Sequence, residues 1–155
     1  MANILYFSCH CVLEYDELRL LTSLGHSIFS IGSYFNPDRP AEGLRPPLKL
    51  HQNKDWMDSY VKSYSSKILS KEFFSKFDVI IAMHGHDFLL QNIKNISKTT
   101  KIIWRGIGQS NGIVELKLNQ LKKSGVILVR YSPLESIAPN FAGTDSIIRF
   151  SKRKS

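Results

Sequence analysis

Four short clusters in this chain hold the side chains best suited to bind or react with a ligand. They are Cys9-His10-Cys11, His84-Gly85-His86-Asp87, Arg105 with Gln109, and Arg130-Tyr131-Ser132. Imidazole is the side chain whose charge changes closest to neutral pH, so His84 and His86 are the candidates for proton transfer or for a polar contact at a reacting centre. Guanidinium is the best-shaped group for a phosphate or carboxylate, which makes Arg105 and Arg130 candidate anion contacts. Ser8, Cys9, His10, Gln109 and Ser132 add hydroxyl, thiol, imidazole and amide groups as candidate substrate contacts. Cys9-His10-Cys11 together with His84 or His86 raises the question of zinc; four well-spaced ligands are not evident, and no metal is expected. Each cluster also has a purely structural reading. Either histidine can sit at a helix start as a cap, Asp87 suits the first turn of a helix, and the two arginines can be plain surface ion pairs.

What unites the clusters is their place in the pattern, since each follows an apolar run. "FDVIIAMHGHDF" at 77–88 shows this best: a continuous apolar stretch bounded by Asp78 and Gly85 reads as a strand buried on both faces, as in a parallel sheet covered by helices. "NILYFSC", "SIFSIGS", "KIIWRGIGQS" and "VILVRYSP" read as further strands, and Ile147 to Phe150 as a short edge strand. Between them lie helical stretches. "LEYDELRLLTSLGH" carries Leu18, Leu21 and Leu24 at helical spacing, with three acids at its start and Gly25 as its stop. "NKDWMDSYVKSYSSKILSKEFFSKF" places Trp56, Tyr60, Tyr64 and Ile68 on one buried face, and "HDFLLQNIKNIS" is a short helix. "GIVELKLNQLKKSG" has Ile113, Leu116, Leu118 and Leu121 as its inner face, Lys122 and Lys123 in its last turn and Gly125 as its stop. Residues Tyr34 to Lys49 hold four of the six prolines and form a long surface loop.

Strands alternating with helices at these lengths predict an α/β fold, a doubly wound and mostly parallel Rossmann-like sheet of five or six strands with helices on both faces. In such a sheet all strand carboxyl ends share one edge, so clusters far apart in sequence converge on one cleft. The convergence predicts a site, not a reaction. At 155 residues the chain forms one domain over 1–150 and a basic tail over 151–155, with a core large enough to need no disulfide or metal.

Composition fits an ordinary globular protein, 43% hydrophobic and 22% charged. No apolar run approaches the ~20 residues of a spanning helix. "MANILYFSC" lacks a positive leader and a small-residue cleavage site, so it reads as a first strand rather than a secretion signal, and a cytoplasmic location is expected. Two cysteines in that setting are reduced by default. The net charge of +8 favours anionic partners, including the surface of an anionic membrane. Nucleic acid has only that charge to support it: no helix-turn-helix, zinc finger or aromatic-rich sheet motif is present.

Phosphate loops are missing. The first strand runs into "FSCHCVLEYDE" without a glycine, so the G-x-G-x-x-G of a dinucleotide domain is absent, and three acids there would repel a pyrophosphate. The Walker pattern is absent too. Only "GIG" at 106–108 remains, after a late strand.

Taken together, "ILYFS", "LTSLGHSIFSIGS", "FDVIIAMHGHDF" and "VRYSPLESIAPNFAGTDSIIRFSK" resemble the amino-terminal domain of a GT-B glycosyltransferase of the group 1 or family 4 type, over nearly the whole chain. This resemblance implies an acceptor-side domain that works with a carboxyl-terminal domain binding the nucleotide-sugar. The E-x(7)-E signature and the basic residues that hold the donor diphosphate belong to that second domain and are not in these residues, so the expectation is a partial hexosyltransferase. The resemblance further implies that His84 or His86 lies beside the transferred sugar, and that the Ser8 to Val12 loop faces donor or acceptor. It implies as partners a nucleotide-sugar donor, a carbohydrate or lipid-linked acceptor and a second glycosyltransferase half, with no cofactor. The alternative is a non-catalytic flavodoxin-like module that takes a nucleotide or other phosphorylated ligand at the same edge.

Overall fold

The structure is a computed structural model that describes residues 1–7, 17–18, 20–30, 68–106, 110–131 and 136–147. Ser8, Cys9, His10, Cys11, the proline-rich segment, Trp56, Tyr60, Tyr64, Gln109, Ser132 and the basic tail lie outside the described residues. Six strands build one parallel sheet: β1 (Asn3–Phe7), β2 (Ser27–Ser30), β3 (Val79–Met83), β4 (Lys101–Arg105), β5 (Ile127–Arg130) and β6 (Ser146–Ile147). The helices are α1 (helical at 17–18 and 20–23), α2 (Lys71–Phe74), α3 (His86–Asn92), which runs into a 3-10 turn at Ile93–Asn95, and α4 (Gly112–Lys123). None of the described helices is long and apolar enough to cross a membrane.

Side chains alternate across each central strand, and the two sets fill separate cores. Leu5, Phe7, Ile80, Ala82, Ile102, Trp104 and Leu128 pack on one side with Phe73 and Phe74 of α2, Phe88 and Leu89 of α3, and Leu118 and Leu121 of α4. Ile4, Tyr6, Ile28, Ile81 and Met83 pack on the other with Leu18 and Leu21 of α1. The expected double-sided covering is therefore present. Each fully buried Leu, Ile or Phe in these layers contributes roughly 1.5–3 kcal/mol relative to an exposed position, and that burial holds the helices to the sheet.

Strand order is β2-β1-β3-β4-β5-β6. The chain moves one way from β1 to β2, then returns past β1 and continues the other way. Because parallel crossovers are right-handed, that reversal is what puts α1 on one face and α3 and α4 on the opposite one. In open α/β sheets such a reversal, here between β1 and β3, is where ligands bind outside the carboxyl ends of the strands.

Local stops follow the sequence. Gly25 and Gly125 have φ of 89° and 90°, the left-handed conformation that ends a helix and that glycine adopts without strain. Asn111 caps α4 by accepting from Val114 N–H at 3.0 Å, and Ser70 caps α2 by accepting from Phe73 N–H at 3.1 Å.

Several packing expectations are corrected. Ile113 and Leu116 of α4 are 68% and 51% exposed, and the buried face is instead Glu115, Leu118 and Leu121. The stripe turns inward at Glu115 because a buried arginine on β5 receives its carboxylate, as described below. Leu24 is 63% exposed, since α1 has ended before it and the chain is turning into β2. Ile68 is 69% exposed; Leu69 turns in instead, its N–H held by the buried Asn92 Oδ1 at 2.7 Å.

Candidate functional site

β3 leaves the sheet through a turn with little freedom. His84 has φ of 61°, a left-handed conformation uncommon outside glycine. Its N–H donates to the carbonyl of Arg105 at 3.0 Å, so the turn is tied to the end of β4. Gly85, at φ −68° and ψ 46°, bends the chain so that His86 N–H donates to the His84 carbonyl at 2.5 Å, close to an inverse γ-turn. Leu89 N–H then reaches the Gly85 carbonyl at 3.0 Å and α3 begins.

Glycine is required at 85 by its neighbour. A Cβ there would overlap Cδ1 and Cε1 of Phe7, the last residue of β1. The Phe7 ring cannot retreat easily, because it stacks on Phe88 of α3 with centroids 4.4 Å apart and planes 3° from parallel. The carboxyl ends of β1 and β3 are thus locked together at the point where strand order reverses.

Both histidines are half-buried on this turn. His84 meets the Trp104 ring edge-on, with centroids 6.1 Å apart. The side chain of His86 is 20% exposed, and its Nε2 lies 3.7 Å from Asp87 Oδ2. Its other ring nitrogen, Nδ1, is buried and has no hydrogen-bond partner. Such a group asks for a water or a ligand. Neither histidine caps α3: Gly85 is the N-cap and makes no side-chain bond. Asp87 sits in the first turn, where Lys117 of α4 donates to it at 2.8 Å; that hydrogen bond, against a smaller cost of burial, holds the Asp87 carboxyl below the usual aspartate range.

The two arginines proposed as anion contacts are buried, not on the surface, and both face carboxylates. Arg105, 6% exposed at the end of β4, is ion-paired with Glu17 of α1. Burial pulls the Arg105 guanidinium below its ordinary value, with the neighbouring Tyr6 opposing. Arg130, at the end of β5, makes a bidentate pair with Glu115: Nη1 to Oε2 at 2.8 Å and Nη2 to Oε1 at 2.6 Å. Its Nε donates to the Gly143 carbonyl at 3.0 Å, and its guanidinium lies 4.6 Å from the Phe141 ring centroid and 5.6 Å from that of Trp104. Glu115 also accepts from Ala142 N–H at 2.9 Å and from the Ser110 hydroxyl. Burial pushes the Glu115 carboxyl up, and the bonds from Arg130, Ser110 and Ala142 more than offset it, leaving the group below the ordinary glutamate range.

Of the residues singled out in the sequence, the structure therefore places His84 and His86 on one turn at the strand-order reversal and gives Arg105 and Arg130 carboxylate partners. Ser8, Cys9, His10, Gln109 and Ser132 are outside the described residues. Sequence reasoning read Glu17 only as a helix-start acid and passed over Glu115, Phe7 and Trp104. Only Glu115 left a signal: it stands three residues before Leu118 on an apolar helical stripe, where a carboxylate needs a buried cation. Among the described residues, no group of three or more histidine, cysteine, aspartate or glutamate side chains is arranged to hold a metal ion.

Compared with known proteins, the chain matches no family model, no curated protein and no solved structure.

Proposed function

We propose that this chain is the amino-terminal, acceptor-side domain of a GT-B-type glycosyltransferase, and that its substrate lies in the crevice outside β1 and β3. The observation that carries this reading is His86: a side chain at the strand-order reversal, one ring nitrogen beside Asp87 and the other buried without a hydrogen-bond partner. An imidazole placed so is suited to accept a hydrogen bond or a proton from a hydroxyl. The strained His84 beside it fits the tendency of uncommon backbone conformations to gather at functional sites. Charge supports the acceptor side in particular. With Arg105 held by Glu17 and Arg130 by Glu115, neither offers a ready phosphate contact, as befits a domain that leaves the donor diphosphate to another.

The test is binding and transfer by the purified chain, alone and mixed with the product of any downstream reading frame, against a panel of nucleotide-sugars. Transfer that appears only in the mixture and is lost in His84→Ala or His86→Ala would support the reading. Binding of a nucleotide without any sugar dependence, by this chain alone, would replace it with the second reading, a non-catalytic flavodoxin-like module. That reading draws on the strand order β2-β1-β3-β4-β5, whose β1/β3 crevice receives a phosphorylated cofactor in flavodoxin-like sheets.

A further inference from the structure

Two side chains link α4 to the turn at the strand-order reversal. Lys117 of α4 donates to Asp87 Oδ1 of α3 at 2.8 Å, and Asp87 Oδ2 lies 3.7 Å from His86 Nε2. The side chains of Asp87 and Lys117 are 55% and 36% exposed, so the pair by itself adds little stability. Its place is nonetheless fixed, because Phe88 and Leu89 anchor α3 in the core and Leu118 and Leu121 anchor α4. With one carboxylate oxygen taken by Lys117, the other is turned to His86. The Lys117 hydrogen bond also holds the Asp87 carboxyl below the usual aspartate range, so it stays ionised beside the imidazole.

We infer that Lys117, acting through Asp87, is a positioning residue that keeps the proton of neutral His86 on Nε2 and leaves Nδ1 as its accepting atom. Neutral imidazole has one N–H and one bare nitrogen, and what lies beside one nitrogen decides the state of the other. At 3.7 Å the contact is a charge–dipole attraction rather than a hydrogen bond, and a carboxylate there favours an N–H dipole pointing at it. Nδ1 is buried without a hydrogen-bond partner, so no donor of the protein competes for its lone pair. The ligand group that suits this atom is therefore a donor, a hydroxyl or an amide N–H, and not a bare phosphate or carboxylate oxygen. That the donor belongs to a substrate rests on the function proposed above; the place of the proton does not.

The experiment is long-range proton–nitrogen NMR correlation on the isotope-labelled full chain at alkaline pH, with His86 identified by the signals lost in His86→Gln. The wild type should carry its proton on Nε2. In Asp87→Asn, Lys117 keeps the amide oxygen and the amide N–H group faces Nε2, so the proton should move to Nδ1. Lys117→Met should shift the tautomer ratio the same way by roughly two- to five-fold, the range of an exposed ion pair, and Lys117→Arg should restore it, with an unchanged circular dichroism spectrum in each case. Three results would overturn the inference: a wild-type proton on Nδ1, an unchanged ratio in Asp87→Asn, or an unchanged ratio in Lys117→Met. Transfer from the nucleotide-sugar panel is assayed on the same variants. A ratio that moves while transfer is unaffected or absent would overturn the function proposed for His86 and leave the placing of its proton standing.

Discussion

Removing one partner of the Arg130–Glu115 pair should unfold a large part of this protein's stability, while removing both should restore much of it. Glu115 is fully buried and Arg130 is 1% exposed, so neither charge has water to fall back on. Glu115→Leu takes away the acceptor for both terminal nitrogens of Arg130 and for Ala142 N–H. Stranding a buried ion costs about 3–5 kcal/mol, and the orphaned amide adds about 1–3 kcal/mol. Against a total of roughly 5–15 kcal/mol for a domain, that is at least about a quarter and up to the whole. Arg130→Met strands Glu115 in the same way and loses the contacts to Gly143 and Phe141. In Glu115→Leu/Arg130→Met neither charge of this pair is left stranded, and the double variant should be more stable than either single one. Urea unfolding followed by circular dichroism measures all four proteins. Costs that simply add to within about 0.5 kcal/mol would refute the claim that the two charges depend on each other.

The same carboxyl predicts a pH response. Its folded value lies below the ordinary 4.5, so the unfolded chain takes up the proton first as pH falls. Stability from Glu115 is then complete above about pH 4.5 and is lost below it, as the pH passes through the folded value. Glu115→Leu/Arg130→Met should flatten that part of the stability curve. Gly85→Ala should cost about 1–3 kcal/mol by overpacking, because the added methyl meets the Phe7 ring clamped on Phe88; a thermal melt equal to wild type would contradict the contact. His84→Gly relieves the left-handed strain and leaves the turn intact, so its stability should stay within about 1 kcal/mol of wild type while substrate binding falls; retained binding would make His84 structural. Lys117→Met breaks an exposed pair with Asp87, 55% exposed, and should change stability by under about 1 kcal/mol in the same urea assay.

Much of this architecture is legible in the linear chain because it rests on local signals. The alternation of apolar strands with helices, the glycine stops at 25 and 125 and the polar clusters behind each strand are all written within a few residues of where they act. A parallel sheet then follows, and with it a shared carboxyl edge for His84, His86, Arg105 and Arg130. Which strands would be neighbours was not legible. The order β2-β1-β3-β4-β5-β6, and so the placing of the strand-order reversal beside His84 and His86 rather than beside Arg130, depends on the direction in which each crossover returns.

The partners of the ionic groups were equally hidden. Arg130 and Glu115 are 15 residues apart and meet only because α4 packs back on β5; Arg105 meets Glu17 across 88 residues. Hydrophobicity alone assigned Ile113 and Leu116 to the core, yet both are exposed and the buried guanidinium draws in Glu115, which the apolar spacing did not single out. Sequence determined the elements and the chemistry available at their ends, since backbone propensity and apolar period are properties of neighbouring residues. Tertiary structure alone decided which of those charged ends are neutralised and which remain for a ligand, since a side chain's charge is available only when nothing packed against it has claimed it.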